Sequence, residues 1–83
     1  MTQTENDLYE LYLFDDSKNT EVFIVQVLIE VLDMNPELSA KLMLEAQRKG
    51  KVLIDVCSKE NAVKKRDILI SFGLISQICK ASK

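Results

Sequence analysis

The 83-residue sequence contains no histidine and only two glycines. Without histidine, Ser-His-Asp and Cys-His nucleophilic sites are excluded, as are the zinc sites that use imidazole. Two glycines cannot compose the P-loop or the GxGxxG turn that cradles phosphate. We therefore expect a protein that is not an enzyme, with no catalytic residue, no cofactor and no metal site.

Cysteine is also scarce. Cys57 and Cys79 lie too far apart for a CxxC motif, and one pair is not the framework of a disulfide-rich secreted domain. We therefore interpret both as small core residues of a protein in a reducing compartment.

The start, from Met1 to Asp7, is polar and acidic, unlike an export signal. No apolar run approaches the roughly 20 residues of a membrane span. We expect a cytoplasmic monomer.

The composition is that of an ordinary globular protein, with 47% apolar and 29% charged residues. A chain of this length builds one core. The formal net charge of -2 provides no overall attraction to nucleic acid or to an anionic membrane. The basic residues near Lys64 are interpreted as solvated surface, because no aromatic residues interleave with them and no GXXG loop is present.

Local patterns predict the first three elements. Alternation with a period of two indicates a strand over Tyr9–Phe14. Thr20 is placed to cap a helix that begins at Glu21 and repeats apolar pairs every four residues. Asn35-Pro36 starts a second helix, which Gly50 ends. The apolar stripe of this second helix comprises Leu38, Leu42, Met43 and Ala46.

Three further elements follow. The β-branched run Val52–Cys57 predicts a second strand, and Ser58 caps a third helix that Gly73 closes. A last strand is predicted over Leu74–Cys79. The inward-facing residues of the third helix are predicted to be Ala62, Ile68, Leu69 and Phe72. The order is β-α-α-β-α-β, an α+β domain over residues 9–83 that follows a short flexible tail over residues 1–8.

Two adjacent carboxylates, Asp15 and Asp16, come directly after the first strand. Two interpretations are open. They form a solvated turn, or they form a cation site at the end of the strand.

Two segments, YELYLFDDSKNT (residues 9–20) and LMLEAQRKGK (residues 42–51), resemble the ClpS family of protease adaptors, and the resemblance runs over residues 9–81. The family pattern is a strand ending in Asn-Asp-Asp or similar, two helices, and His-x-x-Gly-Lys before a strand. The segment FGLIS (residues 72–76) is most similar to the compact C-terminal variant. The resemblance implies a three-stranded antiparallel sheet covered by three helices.

The resemblance also implies a function. A ClpS-like protein is an adaptor that binds substrate proteins by the N-terminal residue and delivers them to the N-terminal domain of a Clp-type AAA+ unfoldase. Glu60 and Lys65 match the docking positions for the unfoldase. Asp15 and Asp16 would hold the α-ammonium, while Glu21 lies at the rim of an apolar pocket. The implied substrate-binding residues are Asp15, Asp16, Asn19, Thr20, Glu21, Ile24, Met43, Ala46, Gln47 and Leu74.

Three positions depart from the family pattern. Gln47 replaces the histidine, Asp15 replaces an asparagine, and Glu21 replaces the Met or Phe that roofs the pocket. An alternative function is therefore a regulator or scaffold that docks on the unfoldase without recognising N-termini. A ribosome- or RNA-associated module is a further alternative, because the C-terminal domain of the ribosomal stalk protein shares the topology.

Overall fold

The computed structural model describes residues 7–81 of the chain. Along it lie β1 (Leu8–Phe14), α1 (Glu21–Leu32), α2 (Pro36–Lys49), β2 (Lys51–Ser58), α3 (Lys59–Ser71) and β3 (Ser76–Lys80). The predicted order and the α+β class are confirmed. Among these residues, no helix is both long enough and apolar enough to cross a membrane.

Strand β1 is the centre of the sheet. It pairs with β2 on one side and with β3 on the other, and both pairings are antiparallel. The register places Leu11 opposite Ile78 and Leu13 opposite Val52, with a shift between Leu11 and Tyr12. Leu11 and Leu13 are buried, whereas Tyr12 is partly exposed. Because side chains alternate along a strand, the helices pack against the face that carries the two leucines.

Capping side chains fix where the helices begin, as predicted. The side-chain oxygens of Thr20, Asn35 and Ser58 each accept a hydrogen bond from the amide three residues further on, at 3.1, 2.8 and 3.2 Å. Each such cap contributes about 1 kcal/mol. Gly50 follows α2 with a φ of 95° and donates its amide hydrogen to the carbonyl of Ala46 at 2.8 Å. These local contacts explain why the helix boundaries could be predicted.

One apolar core lies between the sheet and the helices. Its most completely buried side chains include Leu11 of β1, Leu28 of α1 and Leu69 of α3. Helix α2 adds Met43 and Ala46 to the same cluster. Burying one large apolar side chain contributes roughly 1.5–3 kcal/mol. Each helix is therefore attached to the rest of the domain through its apolar face.

The prediction for the inward face of α3 is wrong at two positions. Ala62 and Leu69 are fully buried, but Ile68 and Phe72 are 42% and 46% exposed. Ala62 and Leu69 lie almost two turns apart and share one face, while Ile68 is rotated by about 100° from Leu69. Phe72 lies past the last turn, at the C-cap. Leu38, in the first turn of α2, is likewise exposed, at 45%.

The cysteines and the last strand also differ from prediction. Cys79 is exposed and Cys57 is only partly buried, so neither is a core residue. Strand β3 begins at Ser76, two residues later than predicted. The reason is that the Leu74 amide donates a hydrogen bond to the Leu69 carbonyl at 3.1 Å, so Leu74 closes the turn after α3 and does not join the sheet.

The predicted N-terminal tail, residues 1–8, lies mostly outside the described residues. Leu8 already belongs to β1, where it pairs with Ser58. At the other end, Lys80 is the last residue of β3. The amide of Ala81 donates a hydrogen bond to the Leu8 carbonyl at 2.9 Å, which joins the two ends of the described chain.

Candidate functional site

The loop between β1 and α1 is organised by Asp16. Its side chain is buried, and Oδ1 accepts hydrogen bonds from the backbone amides of Lys18 at 2.8 Å and Asn19 at 3.1 Å. The other oxygen, Oδ2, accepts a hydrogen bond from the side-chain amide of Asn19 at 2.6 Å. Asp16 therefore uses much of its acceptor capacity within the protein.

The same contacts set the ionisation of Asp16. Burial favours the neutral acid, but hydrogen bonds from the Asn19 side chain and from the amides of Lys18 and Asn19 outweigh it. The pKa of Asp16 is consequently lowered below its ordinary value of 3.8. The loop is built around a carboxylate that stays ionised at neutral pH.

Asp15 is the exposed carboxylate of the pair. Its Oδ1 accepts a hydrogen bond from the Asp16 amide at 2.9 Å. Its own amide donates to the Gly50 carbonyl at 2.9 Å, which fastens it to the end of α2. Of the two predicted ammonium acceptors, Asp15 is the one whose carboxylate is accessible to a ligand.

Asn19 connects this loop to the turn after α3. Its side-chain Nδ2 donates to the Gly73 carbonyl at 2.9 Å as well as to Asp16. Gly73 has a φ of 90°, a conformation that glycine adopts without strain. The Thr20 hydroxyl is occupied as the cap of α1. In this structure, both predicted substrate-binding residues serve the loop, and their contact with a ligand stays a prediction.

The four apolar residues predicted to line the ligand pocket lie together in the core. Ile24, Met43, Ala46 and Leu74 are between 2% and 5% exposed and belong to one cluster. Their positions on apolar stripes favour this burial whether or not a ligand binds. Their role as a pocket lining stays a prediction.

A groove opens between α1 and α2. It has a volume of about 260 Å³ and is lined by Glu21, Val22, Val25, Gln26 and Met43. Glu21 and Met43 belong to the predicted set, but sequence reasoning missed the other three because the family pattern supplied only Glu21 and Ile24 from α1. Helical spacing is the signal that could have found them, since they follow Glu21 by one, four and five residues.

Glu21 and Gln47 are joined across the two helices. The side-chain Nε2 of Gln47 donates a hydrogen bond to Oε2 of Glu21 at 3.1 Å, and both residues are exposed. These are two of the three positions at which the sequence departs from the ClpS pattern. The departures are therefore coupled. Because the amide is neutral, it orients the carboxylate without cancelling its charge.

The two predicted docking residues lie on α3. Glu60 is exposed in the first turn. Lys65 forms an ion pair with Asp55 of β2, and this hydrogen bond raises the pKa of Lys65. Five residues correspond to about 140° of rotation in an α-helix, so the two side chains leave α3 in different directions. Their role in docking stays a prediction.

Cys57 has no sign of reactivity. Burial and, after it, the charge of Asp55 raise the pKa of its thiol, which favours the protonated form.

Within residues 7–81, no group of three or more Cys, Asp or Glu side chains is arranged to hold a metal ion. Among the residues that line the groove, one carboxylate, that of Glu21, lies beside the apolar side chains of Val22, Val25 and Met43.

The protein is a small α+β domain whose central strand, β1, leads into an acidic loop. The family model for the ATP-dependent Clp protease adaptor protein ClpS matches residues 4–76. The chain therefore belongs to the ClpS family, and the resemblance noted in the sequence is confirmed.

A solved structure with a similar fold is that of Agrobacterium tumefaciens ClpS2 bound to L-phenylalaninamide, with a TM-score of 0.79. The two proteins are 23% identical, and the match covers 90% of this chain and 98% of that chain. At this identity, the likeness establishes a shared fold. No curated protein matches the chain.

Proposed function

We propose that this protein is an adaptor that binds the N-terminal residue of protein substrates and delivers them to a Clp-type AAA+ unfoldase, without catalysing a reaction itself. The observation that carries the proposal is the match to the ClpS family model over residues 4–76. Its partners are then the N-terminal domain of the unfoldase and substrate proteins with a free N-terminus.

The charges of the β1–α1 loop support this proposal. Asp15 offers an exposed carboxylate, and the hydrogen bonds of Asp16 hold the loop that presents it. A substrate α-ammonium is a cation with three donors, and such a charge-assisted hydrogen bond contributes about 1.5–3 kcal/mol. The ligand bound to Agrobacterium ClpS2, L-phenylalaninamide, carries a primary amine of this kind.

The ammonium contact and the side-chain contact do not by themselves account for substrate binding. Burial of part of a substrate side chain adds roughly 1.5–3 kcal/mol at most. Association costs at least about 4 kcal/mol in lost freedom. These terms leave about 2 kcal/mol at most, so further contacts with the substrate must contribute the rest of the binding free energy of about -8 kcal/mol that corresponds to the micromolar Kd we expect.

Fluorescence anisotropy with labelled peptides that differ only in the first residue tests the substrate site. We expect free N-termini to bind and acetylated copies to fail, because acetylation removes the cation. Asp15→Ala should weaken binding of the free peptides by about tenfold, equivalent to about 1.4 kcal/mol. Asp67→Ala, an exposed acidic residue of α3, is the matched control. Equal binding of free and acetylated peptides would contradict the proposal.

A pull-down with the N-terminal domain of the Clp ATPase tests delivery. The double change Glu60→Ala with Lys65→Ala should abolish capture, while the exposed control Lys64→Ala should not. Loss of the Lys65–Asp55 ion pair costs about 1 kcal/mol at most, so circular dichroism should show an intact fold. Undiminished capture by the double variant would remove this docking assignment.

The second candidate function is a regulator that docks on the unfoldase without recognising N-termini. The observation that favours it is the hydrogen bond from Gln47 to Glu21 at 3.1 Å, because both residues stand at positions where the chain departs from the ClpS pattern. The two assays together separate the candidates. Capture by the unfoldase domain without binding of any free N-terminus would favour the regulator.

A further inference from the structure

We infer that the groove between α1 and α2 selects substrates whose first residue is cationic, an Arg or a Lys. This inference rests on the proposed function, because it names the substrate class of the same site. The observation behind it is a juxtaposition: apolar walls from Val22, Val25 and Met43 stand beside one ionisable side chain, that of Glu21.

The groove matches the two-part chemistry of a long basic side chain. Lys and Arg combine an apolar stem with a charged head, and they bury the stem along apolar surface while the head remains at a polar edge. Val22 is 70% exposed, so its side chain is accessible to such a stem. The carboxylate of Glu21 can then pair with the head, and an arginine head can form two parallel hydrogen bonds to it.

The charge of Glu21 is not neutralised within the described part of the chain. Its hydrogen-bond partner there is the neutral amide of Gln47, at 3.1 Å. Among the neighbouring cations of α2, Lys49 is paired with Glu45 at 3.3 Å, and none of the ion pairs found within residues 7–81 involves Glu21. Gln47 holds the carboxylate in position while leaving it available to a cation.

An apolar first residue fits the groove less well. A Phe or Leu side chain placed against Val22 and Val25 would exclude water from the Glu21 carboxylate without replacing its hydrogen bonds. Removing water from an unpaired charge is costly. The same carboxylate that attracts a basic side chain therefore discriminates against an apolar one.

Matched peptide pairs isolate the charge of the first residue. Peptides that begin with Arg or citrulline, and with Lys or norleucine, have stems of similar length and differ mainly in charge. By fluorescence anisotropy, the charged member of each pair should bind about fivefold more tightly, and the difference should shrink as salt is raised. Glu21→Gln should abolish the difference. Glu30→Gln, an exposed change on the same helix, should preserve it.

The outcomes separate this inference from the proposed function. Equal affinity within both pairs, or a charge preference that survives Glu21→Gln, would overturn the inference. Tighter binding of Phe- or Leu-initiated peptides, with binding still dependent on a free amine, would overturn the inference and leave the proposed function standing. Failure of every free N-terminus to bind would overturn both.

Discussion

Asp15→Ala and Asp16→Ala form a matched pair of substitutions that distinguishes a ligand-facing carboxylate from a loop-organising one. Asp16→Ala removes the acceptor for three hydrogen bonds, from the amides of Lys18 and Asn19 and from the Asn19 side chain. Asp15→Ala removes one, from the adjacent amide. We expect the first change to affect the stability of the fold and the second to affect binding.

The size of each stability change follows from the hydrogen bonds that the substitution removes. Each hydrogen bond to a charged acceptor contributes about 1.5–3 kcal/mol, but contributions of neighbouring bonds do not add fully, and water can reach part of the loop after truncation. We expect Asp16→Ala to lower the free energy of unfolding by about 2–3 kcal/mol. Asp15 is exposed, so Asp15→Ala should change the free energy of unfolding by no more than about 0.5 kcal/mol.

Urea denaturation followed by circular dichroism measures both values. For a domain of this size the denaturant slope is about 1 kcal/mol per molar urea, so Asp16→Ala should shift the midpoint down by about 2–3 M. Asp15→Ala should leave it almost unchanged. Equal shifts for the two variants would refute the assignment of different roles to the two carboxylates.

The pH dependence provides a second check. Because the pKa of Asp16 is lowered in the folded protein, its contribution is fully present above the ordinary value of 3.8 and is lost as the pH falls through the folded-state pKa. The stability gap between wild type and Asp16→Ala should therefore be constant from about pH 7 to pH 5 and narrow in stronger acid. A gap that persists undiminished in strong acid would show that the ionised carboxylate is not its source.

Three further predictions concern the scaffold. Leu69→Ala should lower the free energy of unfolding by about 2–5 kcal/mol because its side chain is fully buried, whereas Ile70→Ala, at a site 49% exposed, should cost far less in the same urea titration. Gly73→Ala should lower the free energy of unfolding by about 1–2 kcal/mol, measured by thermal unfolding. The cost comes from the backbone, whose φ of 90° is strained for alanine, because an added Cβ would meet no atom closer than 3.9 Å. A double-mutant cycle on Lys65 and Asp55 should give a coupling of about 0.2–1 kcal/mol that falls with salt.

The element order could be predicted because local interactions decide it. Thr20, Asn35 and Ser58 cap their helices through amides only three residues away, and Gly50 adopts the conformation that ends α2. The period of two likewise predicted strand β1, on which Leu11 and Leu13 are buried and Tyr12 between them is partly exposed. Such contacts depend on short stretches of chain, so the sequence alone carries their geometry.

The candidate site was predicted less completely. Position in the family pattern identified Asp15 and Asp16, but two adjacent carboxylates look alike in a sequence. Which of them turns inward depends on the path of the loop, and Asp16 finds its partners at Lys18 and Asn19 while Asp15 remains exposed. The loop path in turn depends on Gly73, which is distant in sequence and binds Asn19 through its carbonyl.

The sequence by itself determined the helices and strands, their order, their caps and the family of the protein. Only the tertiary structure decided that Gln47 of α2 reaches Glu21 of α1, although 26 residues separate them. It also decided that Ile68 of α3 remains exposed, while Leu69 beside it is buried. The physical reason is that an apolar stripe specifies which side of a helix is buried, whereas the rotation and position of each helix are set by how all the elements pack together.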